Sequence, residues 1–226
     1  MYDAYQHTDA PHPNYRLPES NIRFDARKEI IGWNKTSFSG NIQRPFIIND
    51  VRDVPIGQLV KRPIPLWKDY GLTEYVNVRK SEKGDTLFCR LPYNCHITPY
   101  LKVKAREGAM IKVQTDNYLG GSTPNVRAEY ITRDGEQDYE SLGWMNGHEV
   151  WYIIPEGVEI LDIKYRETGY NAEFVEPFQC NEPFYNELWK RSARTLYVTM
   201  RDTYMDCPDR ERSQWWGDEV NELGEA

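Results

Sequence analysis

Between about Leu87 and Thr168 the chain keeps changing sides. Leu101, Val103 and Ala105 alternate with Lys102, Lys104 and Arg106. Val126, Ala128 and Tyr130 alternate with Arg127 and Glu129, and Leu161, Ile163 and Tyr165 with Asp162, Lys164 and Arg166. Successive side chains of a strand point to opposite faces, so this period of two calls for strands with one face buried. Met110–Val113 and Val150–Ile154 add two less regular segments. Turn chemistry separates the segments at Glu107-Gly108, Asp134-Gly135 and Pro155-Glu156-Gly157, and the Asp-Gly pair reads as a hairpin. Short strands at such spacing predict a mainly β fold, an antiparallel β-sandwich over residues 71–176.

The period then changes. Beyond Phe178, Tyr185, Leu188, Trp189, Leu196 and Met200 recur at helical spacing, which predicts a helix up to about Arg201. Asn181 is the expected N-cap and Pro183 falls in the first turn, where its missing N–H costs nothing. A second helix is expected from about Asp218. An apolar stripe of this kind needs helical partners that the remaining residues do not supply. Residues 177–226 are therefore expected to be the opening of a larger, truncated helical domain. Residues 1–70 read as irregular, with Pro11, Pro13, Pro18, Pro45, Pro55, Pro63 and Pro65 breaking any long element. Short β-like pieces lie at Ile22–Phe24 and Phe46–Ile48, and Arg62-Pro63-Ile64-Pro65 should be extended. This part reads as the tail of an upstream β-module followed by a connector.

Composition removes several classes of function. With 28 Lys plus Arg against 35 Asp plus Glu, the net charge is −7. No basic run forms a stripe, which argues against nucleic acid as a partner. No apolar run approaches the roughly 18 residues of a membrane span. The start, Met1–Asn14, lacks the basic and apolar regions of a signal peptide. Cys89, Cys95, Cys180 and Cys207 make no CxxC pair, and the 4 histidines show no metal-ligand spacing, so no metal or cofactor is expected. The 16 Tyr and 7 Trp suit both sugar faces and the core of an aromatic-rich sandwich.

The stretch Asp206-Cys207-Pro208-Asp209-Arg210-Glu211-Arg212-Ser213-Gln214-Trp215-Trp216-Gly217-Asp218 carries the chemistry. Acids, arginines and two adjacent tryptophans lie between helices, and Pro208 and Gly217 keep the segment from being plain helix. Adjacent exposed tryptophans are costly, so the loop should fold over something. Carboxylates, arginines and rings around a concavity are what glycoside hydrolysis needs. One protonated acid donates to the glycosidic oxygen, and others hold hydroxyls or favour oxocarbenium charge.

Asp-Cys-Pro-x-Arg-Glu-Arg-x-x-Trp-x-Gly-Asp resembles the signature of the bacterial α-L-rhamnosidases, glycoside hydrolase family 78. Their catalytic domain is an (α/α)6 barrel preceded by β-sandwich modules. Weaker likenesses lie at Asp25-Ala26-Arg27 with Gly32-Trp33-Asn34, at Arg62-Pro63-Ile64-Pro65, at Asp134-Gly135, at Gly143-Trp144 with Asn146-Gly147, and at Tyr165–Tyr170. The resemblance implies that Glu211 is the general acid, its pKa raised by neighbouring carboxylates and partial burial. It implies that Asp206 and Asp218 bind rhamnose hydroxyls, that Trp215 or Trp216 packs on the apolar sugar face, and that Arg210 holds the acids or contacts hydroxyls. Family members invert the anomeric carbon, which needs a second carboxylate as base, found much later in the barrel. Glu219, Glu222 and Glu225 read instead as a solvated helix face. The expected partners are a carbohydrate and the remainder of the barrel, and the resemblance points to a periplasmic or extracellular location with a cytoplasmic one left open. The chain alone is expected to be inactive.

Gln214 and the doubled Trp215-Trp216 depart from the family pattern, which leaves another α-linked deoxysugar open as substrate. Two non-catalytic readings stand beside this one. The sandwich binds carbohydrate on Trp144, Trp151 and its tyrosines, or it only braces the barrel. Trp151, inside a strand, reads as core. Trp144, beside Gly143 and Asn146-Gly147, is expected to be exposed or to pack against the helical part.

Overall fold

The computed structural model describes residues 4–8, 21–40, 61–116, 126–173, 175–208 and 211–225. Among the described residues, ten strands precede two helices: β1 (Tyr5–His7), β2 (Ile22–Asp25), β3 (Lys68–Thr73), β4 (Asn77–Lys80), β5 (Thr86–Ala105), β6 (Met110–Thr115), β7 (Arg127–Ile131), β8 (Gly135–Glu140), β9 (Met145–Ile153), β10 (Glu159–Gly169), α1 (Pro183–Val198) and α2 (Trp216–Glu225). They form one continuous sheet in the order β1-β2-β7-β6-β9-β5-β10-β3, with β4 and β8 also paired to β5. The mainly β fold expected from the alternation is present. The Phe46–Ile48 piece lies outside the described residues.

The organising element is β5, 20 residues long. Its first part, Thr86–Arg90, pairs with β4 and β9, and its last part, up to Ala105, pairs with β8 and β10. The register with β9 slips between Arg90 and Cys95, around Pro92. Proline cannot donate to a ladder, so it belongs at such an irregularity. Beyond this point the sheet folds over itself. Tyr152, opposite Leu87, donates its hydroxyl across the interior to the carbonyls of Tyr100 (3.0 Å) and Lys164 (3.1 Å). Phe24 of β2 stacks on Tyr139 of β8 at 4.8 Å between ring centroids. Ile97, Val103, Ile111, Val150 and Tyr152 are fully enclosed between these layers.

Most period-two positions fall as expected: Leu101, Val103 and Ala105 are buried, while Lys104 and Arg106 are exposed. Three details differ. A bulge between Ile160 and Asp162 turns Leu161 outward and puts Ile160 and Ile163 against the core. Arg127 and Glu129 are buried as well, because Glu129 accepts from Arg127 at 2.7 Å and from Arg23 at 2.8 Å. Asp134-Gly135 is not a hairpin: β7 pairs with β6 and, in parallel, β2, while β8 pairs with β5. The turn, with Gly135 at a φ of +89°, carries the chain from one part of the sheet to another.

Helix α1 is capped by Glu182, whose carboxylate accepts from the Phe184 N–H, not by Asn181, and Pro183 opens its first turn. Its C-terminal half docks on the sheet. Arg194 donates to the Asn94 carbonyl (2.8 Å) and to Glu167 (3.1 Å) and lies 4.1 Å over the Tyr93 ring. Tyr197 donates to the Tyr170 carbonyl at 3.0 Å. Gly169 allows this approach, since a Cβ there would sit under 3 Å from the Tyr197 ring and hydroxyl. At the end of the helix, buried His96 of β5 donates from Nε2 to the Val198 carbonyl (2.6 Å) and accepts at Nδ1 from Arg201 (3.1 Å). Arg201 always carries donors only, so its contact fixes the imidazole as the neutral Nε2–H tautomer.

Gly169→Ala should therefore loosen α1, with a cost of about 1–3 kcal/mol in urea unfolding. Amide exchange should rise across Arg194–Val198 while Val103 and Val150 stay protected. Unchanged exchange in α1 contradicts this packing. Burial, with the Arg201 cation second, pushes the His96 pKa from 6.5 down to about 3. The unfolded chain then takes up the proton first, so this contribution is complete above the ordinary histidine pKa and shrinks as pH falls toward the folded value. An NMR titration should find His96 still neutral at about pH 5, and His96→Gln should flatten stability over that acid range. A ring that titrates near its ordinary value contradicts the docking.

Candidate active site

The acid-rich loop begins where α1 stops. Thr199 closes the helix, Arg201 N–H bonds the Thr203 carbonyl in a tight turn, and Met205 N–H returns to the Thr199 carbonyl. From Asp206 the chain forms a compact loop through paired contacts of Asp206 and Ser213. Asp206 N–H donates to the Ser213 carbonyl (3.1 Å), and Ser213 N–H donates to Asp206 Oδ1 (2.9 Å). Cys207 adds a second tie: its thiol donates to Asp206 Oδ2 and its sulfur accepts from the Glu211 N–H, both at 3.3 Å. Cys207 thus links the Asp206 carboxylate to the Glu211 backbone.

Glu211 is half-buried, and its Oε2 accepts from the indole N–H of Trp215 at 3.2 Å. Trp215 also joins the third acid to the loop, because its carbonyl accepts the N–H groups of Asp218 and Glu219. Asp218 is exposed in the first turn of α2, which begins two residues earlier at Trp216, and its charge there suits the helix dipole. Trp216 is 87% exposed and Trp215 41%. Arg210 lies outside the described residues, as do the side chains of Glu222 and Glu225. Glu219 is not on a solvated face: it is half-buried, and its Oε1 is buried without a hydrogen-bond partner among the described residues. Gln214 lines a cavity of about 290 Å³ with Ile64, Tyr170 and Asp202.

Arg212 follows Glu211 in the left-handed region, φ 51°. A non-glycine residue is held there only when its surroundings over-determine it. Arg212 Nε donates to the Pro208 carbonyl (2.7 Å), Nη2 donates to the Trp144 carbonyl (3.3 Å), and the guanidinium lies 3.4 Å from the centre of the Trp144 ring. The Arg201 guanidinium lies 4.5 Å from the same ring and 3.7 Å from that of Trp67. Asp202, next to it, accepts from Trp67 Nε1 and Arg62, both at 2.5 Å, and so ties the Arg62–Trp67 connector to the end of α1.

Trp144 does pack against the helical part, while Trp151 meets Phe88 edge-on at 5.7 Å. The family signature marked the acids of the loop. It did not single out Trp144, Ser213 or Arg212 as supports of Glu211. The Arg-Glu-Arg run was the one available signal for Arg212, and the isolated Gly143-Trp144 pair the one for Trp144.

Residues 173–225 match the family profile described as the bacterial α-L-rhamnosidase six-hairpin glycosidase domain. No curated protein matches the chain. Among solved structures, the chain is 25% identical to the family 78 rhamnosidase of Bacillus sp. GL1, with a TM-score of 0.55 over 65% of this chain and 16% of that one. It is 22% identical to the α-L-rhamnosidase from Dictyoglumus thermophilum, with a TM-score of 0.71 over 91% of this chain and 24% of that one. The α-L-rhamnosidase from Aspergillus terreus gives 17% identity and a TM-score of 0.64 over 87% and 24%. The chain thus spans between about a sixth and a quarter of the length of these proteins. The matched helical segment and the fold are thus both similar to those of α-L-rhamnosidases, among them a member of glycoside hydrolase family 78.

Proposed function

We propose that this chain supplies the proton-donor loop of an inverting exo-glycosidase that removes terminal α-L-rhamnose, with Glu211 as general acid. The observation that carries the reading is the way Asp206, Glu211 and Asp218 are tied into one loop through Ser213, Cys207 and Trp215. A proton donor must be held in line with the glycosidic oxygen, and a loop closed by side-chain bonds can do that. Glu211 gives its proton to the leaving oxygen as the bond to the anomeric carbon breaks. Asp206 and Asp218 take rhamnose hydroxyls and favour the cationic transition state. Trp215 and Trp216 offer ring area to the apolar face of the sugar, and Arg210 contacts its hydroxyls or steadies the acids.

Inversion also needs a carboxylate base roughly 6.5–9.5 Å from the acid, with room for a water between. The α2 glutamates are too near Glu211 in sequence to reach across the sugar, so the base is assigned to later helices of the six-hairpin domain. Residues 177–226 are the opening of that domain on this reading. The exposed Phe184, Tyr185 and Leu188 of α1 and Trp216, Val220 and Leu223 of α2 are then faces for its other helices. A carbohydrate-binding role for the sandwich has less support, because Trp144 is engaged by two guanidinium groups and Trp151 by Phe88.

The test uses aryl α-L-rhamnosides with the complete glycosidase and with the 226-residue chain. Glu211→Gln should cut turnover of the complete enzyme by about 10²–10⁴-fold, and the chain alone should release no nitrophenol. Full turnover with glutamine at this position contradicts the acid assignment. Release by the chain alone contradicts the assignment of the base elsewhere.

A further inference from the structure

We propose that Trp144, contributed by the β-sheet, is a positioning residue for the proton donor, acting on Glu211 through Arg212. The inference rests on Glu211 being the acid. Trp144 sits on well-fixed chain. Ser141, just before it, donates its N–H to the Pro99 carbonyl at 3.0 Å and accepts the Gly143 N–H at 3.2 Å. Met145 and Asn146, just after it, are buried and begin β9, and the His96 ring lies 4.4 Å from the indole. Arg212, by contrast, stands in an unfavourable backbone conformation of a loop that Asp206, Cys207 and Ser213 tie to itself. Its guanidinium reaches out of that loop to the Trp144 ring and carbonyl and also closes the loop on Pro208. Backbone torsion at Arg212 sets the direction of the peptide that carries Glu211. An arginine held over a ring and two carbonyls therefore fixes the carboxyl of the preceding residue. An indole gives the strongest attraction for a guanidinium among the aromatic side chains, and a phenyl ring retains part of it.

On this account the β-sheet contributes to proton transfer without touching the sugar. The distinguishing readout is the leaving group. A dinitrophenolate departs without a proton, whereas a phenolate of ordinary basicity departs far better with one. In the complete glycosidase, Trp144→Leu should lower kcat on phenyl α-L-rhamnoside by roughly 10–100-fold and on the 2,4-dinitrophenyl rhamnoside by less than about threefold, with KM nearly unchanged. Trp144→Phe should recover most of the loss. Arg212→Met should reproduce the Trp144→Leu pattern with the sheet untouched, and it carries the test if Trp144→Leu does not fold by circular dichroism. Equal losses on both substrates, or no loss in Arg212→Met, overturn the proposal. Glu211→Gln, run beside them, separates the two ideas. If it keeps turnover on the phenyl rhamnoside, the acid assignment itself fails. If it alone shows the leaving-group dependence, only the role of Trp144 fails.

Discussion

The guanidinium of Arg201 is the point at which three parts of the chain meet. It is buried, and burial pushes its pKa down to about 10, so the group stays charged at neutral pH. A charge in such a place must be met by dipoles, rings or an opposite charge. The chain supplies the Trp67 and Trp144 rings, the hydroxyl of Thr168 (3.3 Å), the unprotonated Nδ1 of His96 and the neighbouring Asp202. Each cation–π contact contributes about 0.5–2 kcal/mol, the lower end applying to Trp67, which is 43% exposed. Trp67 comes from the connector, Trp144, His96 and Thr168 from the sheet, and Arg201 from the end of α1. Separating any of these parts leaves the cation without its surroundings.

This constraint explains why the acid loop starts where it does. His96 and Arg201 fix the end of α1 over β5, and the chain that leaves that point passes Trp144 at once. Arg212 then meets the same indole from the far end of the loop. The loop is thus held at both ends by one side chain of the sheet, and its acids are joined inside it by Ser213, Cys207 and Trp215. The sheet supplies part of the wall that holds the loop.

The alternation of Leu101, Val103 and Ala105 with lysines was readable because a strand with one buried face leaves that mark whatever its partners are. What remained hidden depended on partners. The period of two says that Val126–Tyr130 is a strand, but not that the charges of Arg127 and Glu129 meet each other in the interior. Asp134-Gly135 signals a turn, but a glycine at positive φ serves a crossing between layers as well as a hairpin. Leu161 fell on the wrong face because a single bulge shifts every position before it. In the site, the acids were legible through a family signature. Trp144 and Arg212 were not, since their meeting joins residues 68 apart in the chain.

The buried Arg201 couples the loop to the sheet. Amide hydrogen exchange in Arg201→Met tests it most directly, since the substitution keeps length and removes the charge. The account predicts that the amides of Asp206 and Ser213, which bond to one another's residue, lose protection together with those at the end of α1, while Val103, Ile111 and Val150 keep theirs. A loop that stays protected while the end of α1 opens contradicts it.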